Sequence, residues 1–369
     1  MLMRAAILRK GTIVVDTLPD PKPGAGQVLV KTMACGICGT DLHARLHADL
    51  MNKSLAHVPW RKSMDLSKDI VFGHEFCGEV IESGPGTAGR FKPGTLVTSV
   101  PRTMVDGRIE GVGYSDRNPG GYAERMLLGE RFLLEVPNGL AGEHAALSEP
   151  LAVGVHAVEK ARMQDGEVPL VIGCGPVGLA VIAALRLKRK SVKFGPIIAS
   201  DFSPKRREIA QIMGADVVID PAQTSPYATW ESYAKLSPEE AAALPISPVT
   251  GPATARPQVV FECVGVPGMI QNVFQGAAQD SRIIVVGVSM ETDYQEPLIA
   301  IFKELHLQYV LGYTIDEFAT ALRLLGDGDV DGSALVTGKV GLDGVAAAFD
   351  ELAKPQQHIK IMIEPWRVH

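Results

Sequence analysis

The sequence predicts an α/β protein in which a doubly wound parallel sheet follows a β-rich N-terminal domain. Three observations carry this. At 369 residues the chain is too long for one compact core and suits two domains. Its texture changes near Glu149, from short β-type runs punctuated by glycine and proline to strands alternating with helical segments. A glycine fingerprint opens the second part directly after a strand-like run.

The elements follow in order. Gln27–Lys31 and Leu96–Val100 are typical of the β-runs in the first 150 residues. Leu170–Ile172 reads as a buried strand, Val177–Lys188 as a helix and Ile197–Ser200 as the next strand. Ser203 caps a further helix, with Pro204 at its first position. Val217–Ile219, Val259–Phe261 and Ile283–Val286 continue the strand series. Between Pro221 and Pro257 the rhythm lapses; seven prolines and a short helical candidate, Pro238–Leu244, read as a surface excursion. After Gly312 come helical stretches at Ile315–Leu325 and Leu342–Leu352, then the strand-like Ile359–Ile363. The expected division is 1–150, completed by 313–369, and 151–312.

Composition narrows the function. A net charge of −6, with no basic run longer than Lys205-Arg206-Arg207, argues against a nucleic-acid partner. The N-terminus lacks a signal-peptide layout, and glycines interrupt the apolar run Pro169–Leu187, so a soluble cytoplasmic protein that does not enter a membrane is expected. Five scattered cysteines make a poor disulfide framework and point to metal binding instead.

Gly173-Cys174-Gly175-Pro176-Val177-Gly178 matches the dinucleotide fingerprint G-x-G-x-x-G. The first glycine allows a tight turn, the second admits the pyrophosphate, and the third packs helix on strand. Free N–H groups at the helix start then face the phosphates. Asp201, after the next strand, can accept from the adenosine ribose hydroxyls and repel a 2′-phosphate, so NAD is expected over NADP. Arg206 and Arg207 temper that preference, because either could meet a phosphate.

Candidate zinc donors fall in three segments: Cys35 to His43, Gly73-His74-Glu75 and Ser148-Glu149-Pro150. Cys35-x-x-Cys38 has no second such pair, so a four-cysteine site is excluded, and a mixed catalytic site of cysteine, histidine and carboxylate remains. Singly, Cys35 reads as a small buried residue, His74 as a core histidine and Asp41 as a helix cap.

The order Gly36-Ile37-Cys38-x-Thr40-Asp41-x-His43, Gly73-His74-Glu75, Glu149-Pro150 and then the glycine fingerprint resembles the zinc-containing medium-chain dehydrogenases. The branch is that of sorbitol, threonine and butanediol dehydrogenases, and Gly120-Gly121-Tyr122-Ala123-Glu124 and Glu262-Cys263-Val264-Gly265 extend the likeness. The resemblance implies a GroES-like catalytic domain, a Rossmann domain, and NAD-linked hydride transfer from a secondary alcohol or diol. It implies Cys38 and His74 as zinc ligands, with Glu75 and Glu149 binding the zinc or its water and Asp41 behind His74. Thr40 and His43 would carry the alcohol proton away; Cys263 and Val264 would border the nicotinamide, and Lys360 would lie near the cofactor diphosphate. Pro176, Val177 and Arg206 complete the expected cofactor contacts, and a homodimer or homotetramer is expected.

Two departures stand out. The stretch Thr98–Asp116, where many relatives hold a structural zinc through four cysteines, contains none, and the Pro221–Pro257 connection is longer than usual. The segment His47–Ile70, with Leu50, Met51, Leu55, Val58, Trp60 and Met64, either lines the pocket or packs on its own domain. The competing expectations are a zinc-free NAD(P)H-dependent quinone or enoyl reductase, which would lack the cysteine, histidine and glutamate set, and a non-catalytic dinucleotide-binding protein.

Overall fold

The computed structural model describes residues 2–58, 61–246, 248, 251–354 and 357–367; Trp60 lies outside them. The chain divides into two compact units, 1–150 with 314–369 and 151–313. The first unit begins with an antiparallel hairpin of β1 (Leu2–Arg9) and β2 (Thr12–Pro19). Next come β3 (Gln27–Gly36), β4 (Glu75–Ser83), β5 (Leu96–Ser99), a small hairpin of β6 (Arg102–Val105) and β7 (Arg108–Gly111), β8 (Arg125–Gly129) and β9 (Leu133–Glu135). Val28, Val30, Ala34 and Cys35 on β3 are buried, as expected of a strand at the centre of its sheet.

The second unit is a parallel α/β sheet of six strands: β10 (Val168–Ile172), β11 (Ile198–Ser200), β12 (Val217–Ile219), β13 (Gln258–Glu262), β14 (Arg282–Val285) and β15 (His306–Tyr309). Their order, β12-β11-β10-β13-β14-β15, reverses direction beside β10, which is the Rossmann arrangement. Each strand except β15 coincides with an apolar run in the sequence. β15 is an edge strand of mixed character (His-Leu-Gln-Tyr) and carries no such signal.

The proline-rich segment corrects the sequence reading. It holds two helices, Pro226–Ala234 and Pro238–Ala242, and the first is not a surface excursion. Its Trp230 is 2% exposed, joins the core of Val168, Leu170, Ile198, Val260 and Ile283, and donates its indole N–H to the Val168 carbonyl at 2.9 Å. Prolines at helix N-termini, capped by Ser225 and Ser237, start helices here rather than break them.

The chain then returns to the first unit with β16 (Val336–Val340) and β17 (Lys360–Ile363). They complete a seven-stranded sheet in the order β16-β17-β3-β4-β5-β9, with β8 paired to β3. In that register β17 lies antiparallel to β3 at Gly36, and Gly36 faces Glu75 on β4. The last strand of the chain is therefore one strand away from the Gly73-His74-Glu75 motif.

Candidate metal centre and dinucleotide site

Cys38 sits just beyond β3 as the N-cap of the helix Gly39–Leu55. That helix carries Thr40, Asp41 and His43 on its first turns, and its positive end suits a negatively charged donor at Cys38. His74 and Glu75 stand at the start of β4. Gly73 before them has φ +103°, and a Cβ there would come within 2.8 Å of both the Cys35 sulfur and the Gly121 nitrogen. The Gly73-His74-Glu75 and Gly120-Gly121-Tyr122 motifs thus depend on one another: two backbones pass where no side chain fits.

The donor atoms of Cys38, His74 and Glu75 all lie within 4.8 Å of one another. A soft sulfur, an imidazole nitrogen and a carboxylate oxygen are a donor set suited to zinc with an open position. His74 Nδ1, a buried atom, faces Asp41 Oδ1 at 3.4 Å. The residues present therefore fit a zinc ion. Cys35 is buried, donates to the Gly36 carbonyl at 3.6 Å, and burial pushes its thiol well above the ordinary value; it is a packing residue. Glu149, 9% exposed at the start of the helix Ser148–Ala161, stands outside the trio, although its charge is felt at Tyr114 and Lys360.

Charge at the centre is strongly organised. Burial opposes an imidazolium at His74, but the Asp41 carboxylate and the Cys38 sulfur overcome it and hold the pKa well above the usual histidine value. Burial likewise opposes ionised Asp41, yet His74 and the phenols of Tyr114 and Tyr122 keep it below the usual carboxylate range. Asp41 also accepts the Cys38 backbone N–H at 3.1 Å, so it caps the helix and backs His74 with the same carboxylate. The Cys38 thiol reaches the Thr40 hydroxyl oxygen at 3.6 Å, and His43 follows one turn on, on the same face.

Lys360, expected near the cofactor diphosphate, is engaged within its own unit. Its ammonium donates to Glu75 Oε1 at 2.7 Å, Glu75 Oε2 at 2.6 Å and the Ile37 carbonyl at 3.0 Å, with both side chains 1% exposed. Three protein acceptors satisfy all its donors. Burial pulls its pKa down, but Glu75 more than offsets this and the net shift is upward. The pair can meet because Gly36 lies between β17 and β4 without a side chain: a Cβ there would sit 2.1 Å from Glu75 Oε2. The sequence held Glu75 as a metal or water donor and Lys360 as a cofactor contact; their mutual pairing went unseen.

In the second unit the fingerprint forms the turn between β10 and the helix Pro176–Lys188, with Gly175 as N-cap and Pro176 and Val177 opening the helix. Gly173 has φ +90°, and a Cβ on Gly178 would lie 1.9 Å from the Gly173 carbonyl oxygen. A Cβ on Gly175 would approach only the Arg206 guanidinium, at 3.8 Å, so the turn has room beside it for a phosphate. Val264 and Cys263 follow β13 and border Gly173, the loop being held by Glu262 Oε1 accepting from the Val264 and Gly265 N–H groups at 2.7 and 2.9 Å. Asp201 accepts from the Cys174 and Ser203 N–H groups at 2.7 and 2.8 Å, which ties the glycine turn to the next loop. Arg207 is engaged by Asp220 at 3.2 Å and by the Asp201 and Phe202 carbonyls, while Arg206 stands 3.9 Å from Asp201.

The loop Thr98–Asp116, which contains no cysteine, is held by its own side chains. The β6–β7 hairpin is fastened through Glu110, which accepts from Lys62 at 2.5 Å, Arg117 at 2.9 and 3.0 Å and Asn118 at 3.1 Å. Tyr114 just beyond it bonds Asp41. Met64 is buried and exchanges two hydrogen bonds with Asn52, so that member of the His47–Ile70 segment packs on its own unit.

Comparison with known proteins agrees with this geometry. Residues 24–138 match the alcohol dehydrogenase GroES-like domain and residues 176–327 the zinc-binding dehydrogenase domain. The chain is 29% identical to (R,R)-butanediol dehydrogenase of Bacillus subtilis over 96% of each chain, and 27% identical to sorbitol dehydrogenase of the same organism over 99% and 98%. The crystal structure of 2R,3R-butanediol dehydrogenase from Bacillus subtilis superposes with a TM-score of 0.75 at 27% identity, covering 98% of this chain and 99% of that one. The chain belongs to the zinc-containing medium-chain dehydrogenase/reductase superfamily.

Proposed function

We propose that this member of the superfamily is a zinc-dependent, NAD-linked dehydrogenase interconverting a secondary alcohol or diol with its carbonyl product. The observation that carries the reading is the Cys38, His74 and Glu75 donor trio, in a chain whose other unit folds a dinucleotide fingerprint. Relatives named for butanediol and sorbitol favour a substrate with adjacent hydroxyls.

Zinc held by Cys38, His74 and Glu75 would supply Lewis acidity that draws the pKa of an alcohol hydroxyl toward neutrality. The chain's own residues do the rest. The Thr40 hydroxyl takes the alcohol proton and relays it toward His43, a general-base path along one helix face. Asp41 lies behind His74, its Oδ1 3.4 Å from Nδ1, and Lys360 fixes the Glu75 carboxylate. Glu149, whose charge acts on Tyr114 and Lys360, would bind the zinc or its water. Gly173, Gly175 and Gly178 seat the pyrophosphate, and Cys263 and Val264 flank the nicotinamide. Asp201 favours NAD: it opposes a 2′-phosphate, and the guanidinium of Arg207 is already engaged.

Five free cysteines support work in a reducing compartment such as the cytoplasm. No described helix is long and apolar enough to cross a membrane. A second copy of the chain is the proposed partner, because the edge strand β15 ends at exposed Tyr309, Leu311 follows it exposed, and the helix before it exposes Leu298, Ile301 and Phe302.

The test is metal content of wild type and Cys38→Ser alongside NAD-linked oxidation of an alcohol and diol panel. Zinc at about one per chain, lost together with turnover in the variant, supports the proposal. A folded wild type that binds the dinucleotide without zinc overturns it in favour of a zinc-free reductase.

A further inference from the structure

Asp41 is fully buried, yet four donors converge on its carboxylate. Oδ2 accepts the Tyr122 hydroxyl at 2.6 Å and the Cys38 N–H at 3.1 Å. Oδ1 accepts the Tyr114 hydroxyl at 2.5 Å. His74 Nδ1 faces that same Oδ1 from 3.4 Å, longer than an ordinary N–H···O bond. The carboxylate that should orient the imidazole has given the relevant oxygen to a phenol. Tyr114 is also well held: its ring lies 5.2 Å from the His74 ring and 5.3 Å from that of Phe72.

We propose that Tyr114 is a positioning residue of the metal centre that occupies Asp41 Oδ1 and so keeps His74 Nδ1 from making a full carboxylate hydrogen bond. A carboxylate accepting from Nδ1–H raises the basicity of a metal-binding imidazole and tightens its hold on the metal. An oxygen already taking a short, charge-assisted bond has less to offer a second donor. The imidazole is therefore a weaker donor than the Asp41–His74 pairing alone would make it, and the bound metal keeps more of its Lewis acidity. Tyr114 reaches the centre from the loop that folds here without cysteines, so this loop has a hand in the chemistry of the site. The inference rests on the reading of the trio as a zinc site.

Tyr114→Phe keeps the ring and removes the hydroxyl, which frees Oδ1 for His74. Expected is zinc held about tenfold more tightly in competition with a chelating dye, a lowered kcat with KM little changed, and displaced ligand-field bands in the cobalt-loaded variant. Thermal melting of the zinc-free proteins separates this from a general loss of packing. Zinc retention equal to or weaker than that of wild type, or unchanged cobalt bands, overturns the inference and reduces the hydroxyl to a structural prop. A wild type that takes up no zinc at all fails the metal-centre reading itself, and is recognised before any variant is compared.

Discussion

Lys360 and Glu75, each 1% exposed, show what a single side chain can cost in this centre. Removing one member of a buried ion pair strands the other charge away from water. Lys360→Met is therefore expected to lower stability by about 3–5 kcal/mol, read by urea unfolding of the zinc-free protein. Adding Glu75→Gln should recover part of that loss, because no charge is then left unpaired. His74 gives a second prediction. Its pKa stands well above the ordinary value in the metal-free protein, so an incoming metal must displace a proton. Apparent zinc affinity should therefore fall as pH falls below that raised pKa, in a chelator competition run across pH. The sequence displayed the donor trio because Cys38, His74 and Glu75 sit in local motifs. It hid the Lys360 contact, which spans 285 positions and forms only through strand register. Nor did it reveal Tyr114 and Tyr122 as partners of Asp41, since nothing local marks a tyrosine for a distant carboxylate.

Among elements, the β6–β7 hairpin is one whose stability should respond to acid. Burial works to raise the Glu110 pKa, but Lys62, Asn118 and Arg117 overcome it and hold the carboxyl below its ordinary value of 4.5. A depressed carboxyl stabilises the fold fully above the unfolded value and loses that contribution as pH falls through the folded one. Glu110→Gln should thus cost about 2 kcal/mol near neutrality. The gap from wild type should close below about pH 4 in urea unfolding followed across pH. A gap that stays constant with pH would show that the charge of Glu110 does not fasten the hairpin. Element-scale legibility followed burial. β10 and β13 announced themselves as apolar runs because both faces are covered, whereas β15 at the sheet edge did not. The helix Pro226–Ala234 was hidden by its proline-rich surroundings, and only Trp230 in the core shows why it stays in place.

For the whole molecule, the exposed apolar residues around β15 lead to a prediction about assembly. Tyr309 is 64% exposed and Leu311 70%, next to a strand with one edge unpaired among the described residues. Sedimentation of wild type should show a dimer or larger, and Leu311→Asp should shift it toward monomer while leaving zinc content intact. A monomeric wild type would remove this surface from consideration. The Rossmann order was foreshadowed by alternating runs, because every crossover must bury a strand between helices. The seven-stranded sheet was not, since β16 and β17 join it from the far end of the chain.

The empty place at Gly36 has a consequence for inheritance. Every replacement of glycine adds a Cβ, and here that atom would fall 2.1 Å from a carboxylate oxygen. Change at position 36 is therefore closed while Glu75 and Lys360 stand, and losing either of those first leaves a buried charge alone. A descendant could leave this arrangement only by altering several positions at once, or by passing through a weakened ancestor. Three distant codons are bound into one heritable unit by a hydrogen atom where others carry a methyl.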